Sequence, residues 1–251
     1  MNLYVVVAKH RSGHHAVLNW ICAQHGNIRH INDVHLSDDK TQFKTPQKEA
    51  GLTVYGSGRD TLINLEGFKL GLWRKDAWED TPAVKSYDRI YPVLVVRRFR
   101  NWLASTVVTI ESKKPETRAL HGYLDKRILC YRDHINAAVT KRSPFSNLLV
   151  ILYDKWVKSA EYRESLCKPL DIPFTDDGLQ SVPKFGSGSS FNAREYDSKA
   201  QEMNVLNRWK QVASNTTFKL YRDKYKDLDM LSEYYFSSHG VGTIVPVSKR
   251  D

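Results

Sequence analysis

Three short apolar runs stand out along the chain, and each is rich in β-branched or leucine residues. They cover residues 3–8, 93–96 and 148–153, and polar or basic positions follow each of them. Continuous apolar runs of this length are typical of strands that are buried on both faces of a parallel sheet. A shorter run at residues 62–65 predicts a further strand of the same sheet.

Apolar positions at helical spacing follow the first two of these runs. They cover residues 16–23, which are followed by Gly26 as a helix-terminating residue, and residues 102–110 and 120–138. Strands that alternate with helices indicate βαβ units with right-handed crossovers. The pattern therefore predicts an α/β fold with a central, mainly parallel β-sheet flanked by helices, while residues 27–60 show no clear pattern.

Length and composition narrow the class of protein. The chain has 251 residues, of which 41% are hydrophobic and 26% charged, as expected for a single globular domain over residues 1–251. The Gly- and Ser-rich residues 178–195 predict a functional or mobile loop within it. The apolar runs are too short for a membrane span. Three widely spaced cysteines predict free thiols, and we expect a cytoplasmic protein.

The loop after the first predicted strand is basic and contains a glycine turn. The net charge of +10 already favours an anionic partner, and this loop adds Lys9, Arg11 and Gly13 at the start of a predicted helix. Its spacing fits a nucleotide P-loop. However, His14 and His15 replace the lysine and the hydroxyl residue that a nucleotide kinase uses for phosphate and Mg²⁺. The loop therefore predicts an anion site that works without a metal.

A second basic segment follows the strand at residues 93–96. Arg97 comes directly after that strand, and Ser105 follows eight positions later on a predicted helix. A guanidinium offers a planar pair of donors to a phosphate. Because the carboxyl ends of parallel strands meet at one edge of a sheet, we expect the two basic segments to form one site.

Residues 9–15 resemble the 5′-phosphosulfate loop of sulfotransferases that use 3′-phosphoadenosine 5′-phosphosulfate (PAPS). Ser12 and Gly13 match the family pattern and Arg11 falls on its cationic position, whereas His14 and His15 depart from the usual Thr-Thr. The resemblance implies a P-loop-like 5′-phosphosulfate loop.

The resemblance extends to the second segment, where Arg97 and Ser105 have the spacing of the family's 3′-phosphate contacts. It implies a PAPS-dependent sulfotransferase of bacterial type. Such an enzyme transfers a sulfuryl group to a hydroxyl or amine of a small-molecule or carbohydrate acceptor and releases 3′,5′-adenosine bisphosphate (PAP). The resemblance implies neither a metal nor a nucleic-acid partner.

The resemblance also implies which side chains form the site. Tyr153 falls at the end of the family's adenine-side strand, and residues 185–191 resemble a late Gly/Ser loop. The implied cofactor-binding residues are Lys9, His10, Arg11, Ser12, Gly13, His14, His15, Arg97, Ser105, Tyr153, Ser187, Gly188 and Ser189.

For catalysis we assign Arg11 to the departing phosphate oxygen, with help from His14. Glu66 is our first candidate for the general base that takes the acceptor proton, with His14, His15 and His35 as rivals. The spacing of His10 and His14 lacks the adjacent glutamate of zinc-binding helices, so we expect no metal site there.

Two alternatives stay open at this point. One is a nucleotide kinase with a degenerate P-loop, which predicts binding of Mg-ATP. The other is a non-catalytic basic protein for nucleic acid or sulfated polymers, which predicts salt-sensitive binding of any polyanion. The acceptor and the oligomeric state are not specified by the sequence, although residues 27–60 and 112–145 are expected to shape the acceptor pocket.

Overall fold

A five-stranded parallel sheet forms the centre of the protein in the computed structural model. The structure describes residues 1–32, 34–36, 43–44, 59–66, 82–113, 116–140, 145, 147–182, 191–192 and 195–238. Its strands are β1 (Asn2–Ala8), β2 (Arg29–Ile31), β5 (Thr61–Glu66), β6 (Arg89–Val96) and β7 (Leu149–Leu152). They lie in the order β2-β5-β1-β6-β7, and every neighbouring pair is parallel. The predicted α/β class with a central parallel sheet is confirmed.

The central position of β1 explains its continuous apolar sequence. It pairs with β5 on one side and β6 on the other, and its side chains from Leu3 to Ala8 are fully buried. A strand that is covered on both faces has no position for a polar side chain. The same condition holds for the second half of β6, where Val93 to Val96 are buried.

Nine α-helices and one short 3-10 helix (Ala200–Glu202) are seen in the described residues. In chain order the α-helices are α1 (His14–His25), α2 (Pro82–Lys85), α3 (Phe99–Glu111), α4 (Thr117–Thr140), α5 (Tyr153–Lys158), α6 (Ala160–Leu170), α7 (Arg208–Gln211), α8 (Thr216–Lys224) and α9 (Lys226–Ser238). The predicted helices at residues 16–23, 102–110 and 120–138 correspond to α1, α3 and α4.

Helix α3 is the element on which the carboxyl-terminal part of the chain packs. It contacts α4, α7, α8 and α9, and α4 also contacts β6. Three aromatic rings fill the centre of this packing, because Tyr131 stacks on Trp102 at 4.7 Å between centroids and lies 5.4 Å from Phe99. Residues 205–211 are thereby held next to the end of β6.

Residues 27–60, which the sequence leaves unassigned, contain the edge strand β2 and a short antiparallel pair. That pair consists of β3 (His35–Leu36) and β4 (Phe43–Lys44). Strands of two or three residues are too short to show a period, which explains why the sequence gives no signal for them.

The segment at residues 175–182 is fixed to α1 by one buried glutamine. Gln24 Oε1 accepts hydrogen bonds from the backbone N–H groups of Thr175 at 2.7 Å and Asp176 at 2.8 Å, and Gln24 Nε2 donates to the carbonyl of Asp177 at 3.0 Å. Farther along, Asn19 Nδ2 donates to the carbonyl of Gly178 at 2.9 Å. The start of the predicted loop 178–195 is therefore docked on α1, and its residues 183–190 lie outside the described residues.

Two coarse expectations from the sequence are met. Within the described residues, none of the helices combines the length and apolar character that a membrane crossing requires. Cys22, Cys130 and Cys167 are all free thiols, two of them buried, as their spacing predicts.

The docking of residues 175–182 gives a first prediction. Gln24→Met keeps the approximate volume but leaves the amides of Thr175 and Asp176 without their acceptor, so we expect a loss of about 1–3 kcal/mol in the free energy of unfolding. Urea denaturation measures it. The matched control is Gln211→Met at an exposed position, and equal stability of the two variants would contradict the assignment.

Candidate functional site

A cavity of about 350 Å³ opens at the carboxyl edge of the sheet. The ends of β1, β5, β6 and β7 meet there, because Ala8 pairs in register with Glu66 and Val95, and Val96 pairs with Leu152. Its walls come from the first loop, from these strand ends, and from residues 178–182 and 200–208. The polar and aromatic lining residues are His10, Arg11, His14, His15, Glu66, Arg97, Ser105, Tyr153, Trp156, Arg163, Ser181, Gln201 and Arg208.

The first loop turns sharply through two left-handed residues. Arg11 has φ 72° and Gly13 has φ 85°, and the Ser12 amide donates to the carbonyl of Lys9 at 2.9 Å. A Cβ atom on Gly13 would lie 2.3 Å from the Tyr153 ring, so the side chain of any other residue would collide with it. Gly13 is therefore required both by its backbone conformation and by the close approach of Tyr153.

Two residues that the sequence assigns to the cofactor do not line the cavity. Lys9 is 7% exposed, and its ammonium group hydrogen-bonds Cys130 of α4, while burial lowers the pKa of Lys9. Ser12 is also buried, and its Oγ lies in hydrogen-bond contact with His14 Nδ1 at 3.2 Å. The side chains of Lys9 and Ser12 support the loop from the side away from the cavity. His10, Arg11, Gly13, His14 and His15 line the cavity, and their contact with a cofactor stays a prediction.

Histidines and one carboxylate form a corner of the cavity. The Nε2 atoms of His10 and His14 each lie 3.7 Å from Glu66 Oε1, and the rings of His14 and His15 are 4.0 Å apart. Burial lowers the pKa of His10 to about 3 and that of His15 to about 4, and it holds the pKa of His14 well below 6.5. All three imidazoles are therefore neutral at pH 7 and can accept a hydrogen bond.

Arg11 and Arg127 surround this corner with positive charge. Burial lowers the pKa of both guanidinium groups, and the charge of Glu66 raises it in opposition. Arg127 lies on α4, more than a hundred residues from the first loop in sequence, so no local motif predicts its presence. The candidate base is thus close to two cations, in addition to the neutral histidines.

Arg97 and Ser105 meet as their spacing predicts. Arg97 Nη1 donates to Ser105 Oγ at 3.1 Å and to the carbonyl of Arg11 at 3.3 Å, and Arg97 Nη2 donates to the carbonyl of Val205. Arg97 is 2% exposed, and burial lowers the pKa of its guanidinium. This side chain joins the first loop, α3 and the carboxyl-terminal segment at one wall of the cavity.

Arg208 is a cavity residue that sequence reasoning missed. It is 6% exposed and begins α7, where its guanidinium lies over the Phe191 ring at 5.2 Å. Burial, followed by repulsion from Arg97, lowers the pKa of Arg208 to about 10. Among the residues that the structure describes, neither Arg97 nor Arg208 has a carboxylate within ion-pair distance. Two buried cations therefore face one cavity.

The basic residues that follow Arg97 have structural partners instead. Arg98 contacts Asp154 and donates to Glu233 at 2.6 Å, and Arg100 forms an ion pair with Asp229 at 2.8 Å. Only Arg97 of this cluster lines the cavity. This pairing argues against an extended phosphate-tracking surface at residues 97–100.

Tyr153 forms the wall between the two basic segments. The Arg97 guanidinium lies 5.3 Å from the centre of its ring, and Trp156 stacks on it at 5.8 Å. A contact of Tyr153 with adenine stays a prediction. Ser187, Gly188 and Ser189, the predicted residues of the late Gly/Ser loop, lie outside the described residues.

No model of a known protein family matches this chain, and no curated protein matches it.

The contact between Gly13 and Tyr153 gives a second prediction. Gly13→Ala places an alanine in the left-handed region and also creates a collision with the ring. Gly26→Ala has only the left-handed alanine, because no atom of the described residues lies within 4 Å of its Cβ position. We expect Gly13→Ala to unfold at lower urea, with an additional loss of about 1–3 kcal/mol relative to Gly26→Ala. Equal losses would show that the ring does not restrict the loop.

Proposed function

We propose that this protein is a PAPS-dependent sulfotransferase. An acceptor oxygen or nitrogen attacks the sulfur of PAPS in line with the leaving group. The new bond to sulfur forms while the bond between sulfur and the bridging 5′-phosphate oxygen breaks. That oxygen leaves with the electron pair as part of PAP, and the acceptor proton passes to a base. The acceptor is a small molecule or a carbohydrate.

The observation that carries this proposal is the pair of buried guanidinium groups, Arg97 and Arg208, beside the Ser105 hydroxyl. Burying a cation is costly, and the charge of Asp154 offsets only part of that cost at Arg97. The two cations repel each other as well. A bound dianion would remove that repulsion and accept several charge-assisted hydrogen bonds. We assign the 3′-phosphate of PAPS, the group that distinguishes it from ATP, to this position.

In this proposal the first loop binds the other end of PAPS, the 5′-phosphosulfate. Arg11 and the tight turn at Gly13 line the same cavity as Arg97, and the 350 Å³ volume falls within the range of about 300–1,000 Å³ that is usual for ligand sites. We assign the 5′-phosphosulfate to this loop. The Arg11 guanidinium then stabilises the charge that develops on the departing phosphate oxygen.

Glu66 is the general base in this proposal. It ends β5 directly beside the end of β1, and it lines the cavity next to the histidines of the first loop. His10 and His14 contact the carboxylate at 3.7 Å and restrict its position. A carboxylate held near the acceptor site can take the proton as the new bond to sulfur forms.

The assignment of the 3′-phosphate gives a third prediction. We expect Arg208→Met and Ser105→Ala to weaken the binding of PAP by about 10- to 100-fold, because each removes a contact to a charged group worth about 1.5–3 kcal/mol. Binding of 5′-AMP, which lacks that phosphate, should change by less than about threefold. Isothermal calorimetry of both ligands measures the ratio.

The matched control is Arg100→Met, which removes an arginine that pairs with Asp229 and does not line the cavity. It should leave both affinities unchanged. Equal weakening of PAP and 5′-AMP in the cavity variants would contradict the 3′-phosphate assignment. Loss of binding in the Arg100 variant as well would favour a general polyanion surface.

The base assignment gives a fourth prediction. Glu66→Gln keeps the shape of the side chain but cannot take a proton, so we expect turnover to fall by about 10²- to 10⁴-fold with little change in PAP affinity. The assay follows release of PAP from PAPS with a panel of phenols, amines and sugars as acceptors. Glu111→Gln, outside the cavity and bonded to Asn215, is the control. Full activity of Glu66→Gln would exclude it as the base.

A further inference from the structure

Three side chains that commonly bind metals meet in the wall of the cavity. One ligand atom from each of His14, His15 and Glu66 can be chosen so that all three atoms lie within 4.8 Å of one another. All three residues also line the cavity. The two histidines begin α1 and the glutamate ends β5, so the cluster forms where the carboxyl ends of neighbouring strands meet.

His14 is already oriented as a metal ligand would be. Its Nδ1 atom is in hydrogen-bond contact with Ser12 Oγ at 3.2 Å, while its Nε2 atom faces Glu66 Oε1 at 3.7 Å. Histidines that bind metals through one ring nitrogen usually hydrogen-bond through the other, which fixes the ring. His14 is 1% exposed, so its ring has little freedom to turn away.

The donor set selects the kind of ion. Two imidazoles and one carboxylate suit Zn²⁺, which forms bonds of about 2.0–2.2 Å to such ligands. Ligand atoms around a tetrahedral ion at those bond lengths are about 3.4 Å apart. His14 Nε2 and Glu66 Oε1 are 3.7 Å apart, which is about 0.3 Å more than this value. The three ligand atoms are at most 4.8 Å apart, so no pair has to approach by more than about 1.4 Å. Small side-chain rotations supply such changes.

We propose that His14, His15 and Glu66 bind one Zn²⁺ ion, with a fourth coordination position that opens into the cavity. Three protein ligands with one open position are typical of zinc sites that act on a small molecule, whereas structural zinc sites have four. Local spacing excludes a zinc site between His10 and His14. The glutamate that completes the set comes from another strand, which local spacing does not reveal.

Binding of Zn²⁺ is a property separate from the proposed transfer reaction, and it has one consequence for that reaction. While the Glu66 carboxylate is bound to Zn²⁺, the same carboxylate does not accept the acceptor proton. If Glu66 is the base, as proposed above, Zn²⁺ therefore inhibits the transferase. The metal site itself does not depend on that assignment, because its test measures binding of the metal alone.

The test is calorimetric titration of the whole, EDTA-dialysed protein with ZnCl₂. We expect one equivalent to bind. Glu66→Gln and His15→Asn should each weaken that binding by at least about tenfold, since loss of an outer partner of a metal site already costs roughly 10–100-fold. Glu66→Gln retains the shape of the side chain, and circular dichroism checks that both variants are folded. Titration with CoCl₂ should give the visible absorption of a tetrahedral nitrogen- and oxygen-ligated ion.

The matched control is His25→Gln. His25 Nε2 contacts Asp60 Oδ2 at 3.1 Å, which makes a second histidine–carboxylate pair that lies outside the cavity lining. Its substitution should change Zn²⁺ affinity by less than about twofold. Absence of Zn²⁺ binding, or binding that both cavity variants leave unchanged, would overturn the proposal. PAP binding measured on the same samples needs no zinc, so failure of the metal site and failure of the transferase proposal are distinguishable.

Discussion

The cavity depends on the buried guanidinium group of Arg97. It donates to the carbonyl of Arg11, to Ser105 Oγ and to the carbonyl of Val205, and so joins three segments that are far apart in sequence. Tyr131 adds a fourth connection, because its hydroxyl donates to the Arg97 carbonyl at 2.6 Å. Neutral acceptors satisfy part of the guanidinium without neutralising its charge. The cavity wall therefore contains a buried positive charge that Asp154 offsets only in part.

The two ends of the cavity differ in their electrostatics. At one end, Arg97 and Arg208 repel each other, and burial lowers the pKa of both guanidinium groups. At the other end, burial keeps the histidines neutral around the carboxylate of Glu66. The first end suits a phosphate and the second suits proton transfer or a metal ion. In our proposal, a donor with a phosphate at one end and a phosphosulfate that points toward Glu66 at the other fits this separation of roles.

The sequence predicts those features that depend on local pattern. Strands β1, β6 and β7 are visible because burial on both faces demands continuous apolar residues, and Arg97 with Ser105 is visible because both lie within one strand–helix connection. Arg208 and Arg127 are invisible for the opposite reason, since tertiary packing alone brings α7 and α4 to the site. The motif at residues 9–15 does not predict where the Lys9 side chain lies. Its position in the loop does not reveal that it is buried against α4.

Gly13 combines a local backbone feature, which the sequence reveals, with a tertiary contact, which it does not. Its left-handed backbone conformation is one that glycine adopts readily, so the glycine in the sequence already indicates it. Its contact with the ring depends on Tyr153 at the start of α5, 140 positions later in the chain (153 minus 13). Residues of both basic segments thus line one cavity, whereas the walls that distant elements contribute cannot be read from the sequence.

The most direct test of this account is a calorimetric titration of the unmodified protein with PAP, in parallel with Mg-ATP, at moderate salt. The account predicts one-to-one binding of PAP without added metal and much weaker binding of Mg-ATP, because Arg97 and Arg208 require the 3′-phosphate. Preference for Mg-ATP, or equal and strongly salt-dependent binding of both, would contradict it. The first result would indicate a nucleotide kinase and the second a general polyanion-binding protein.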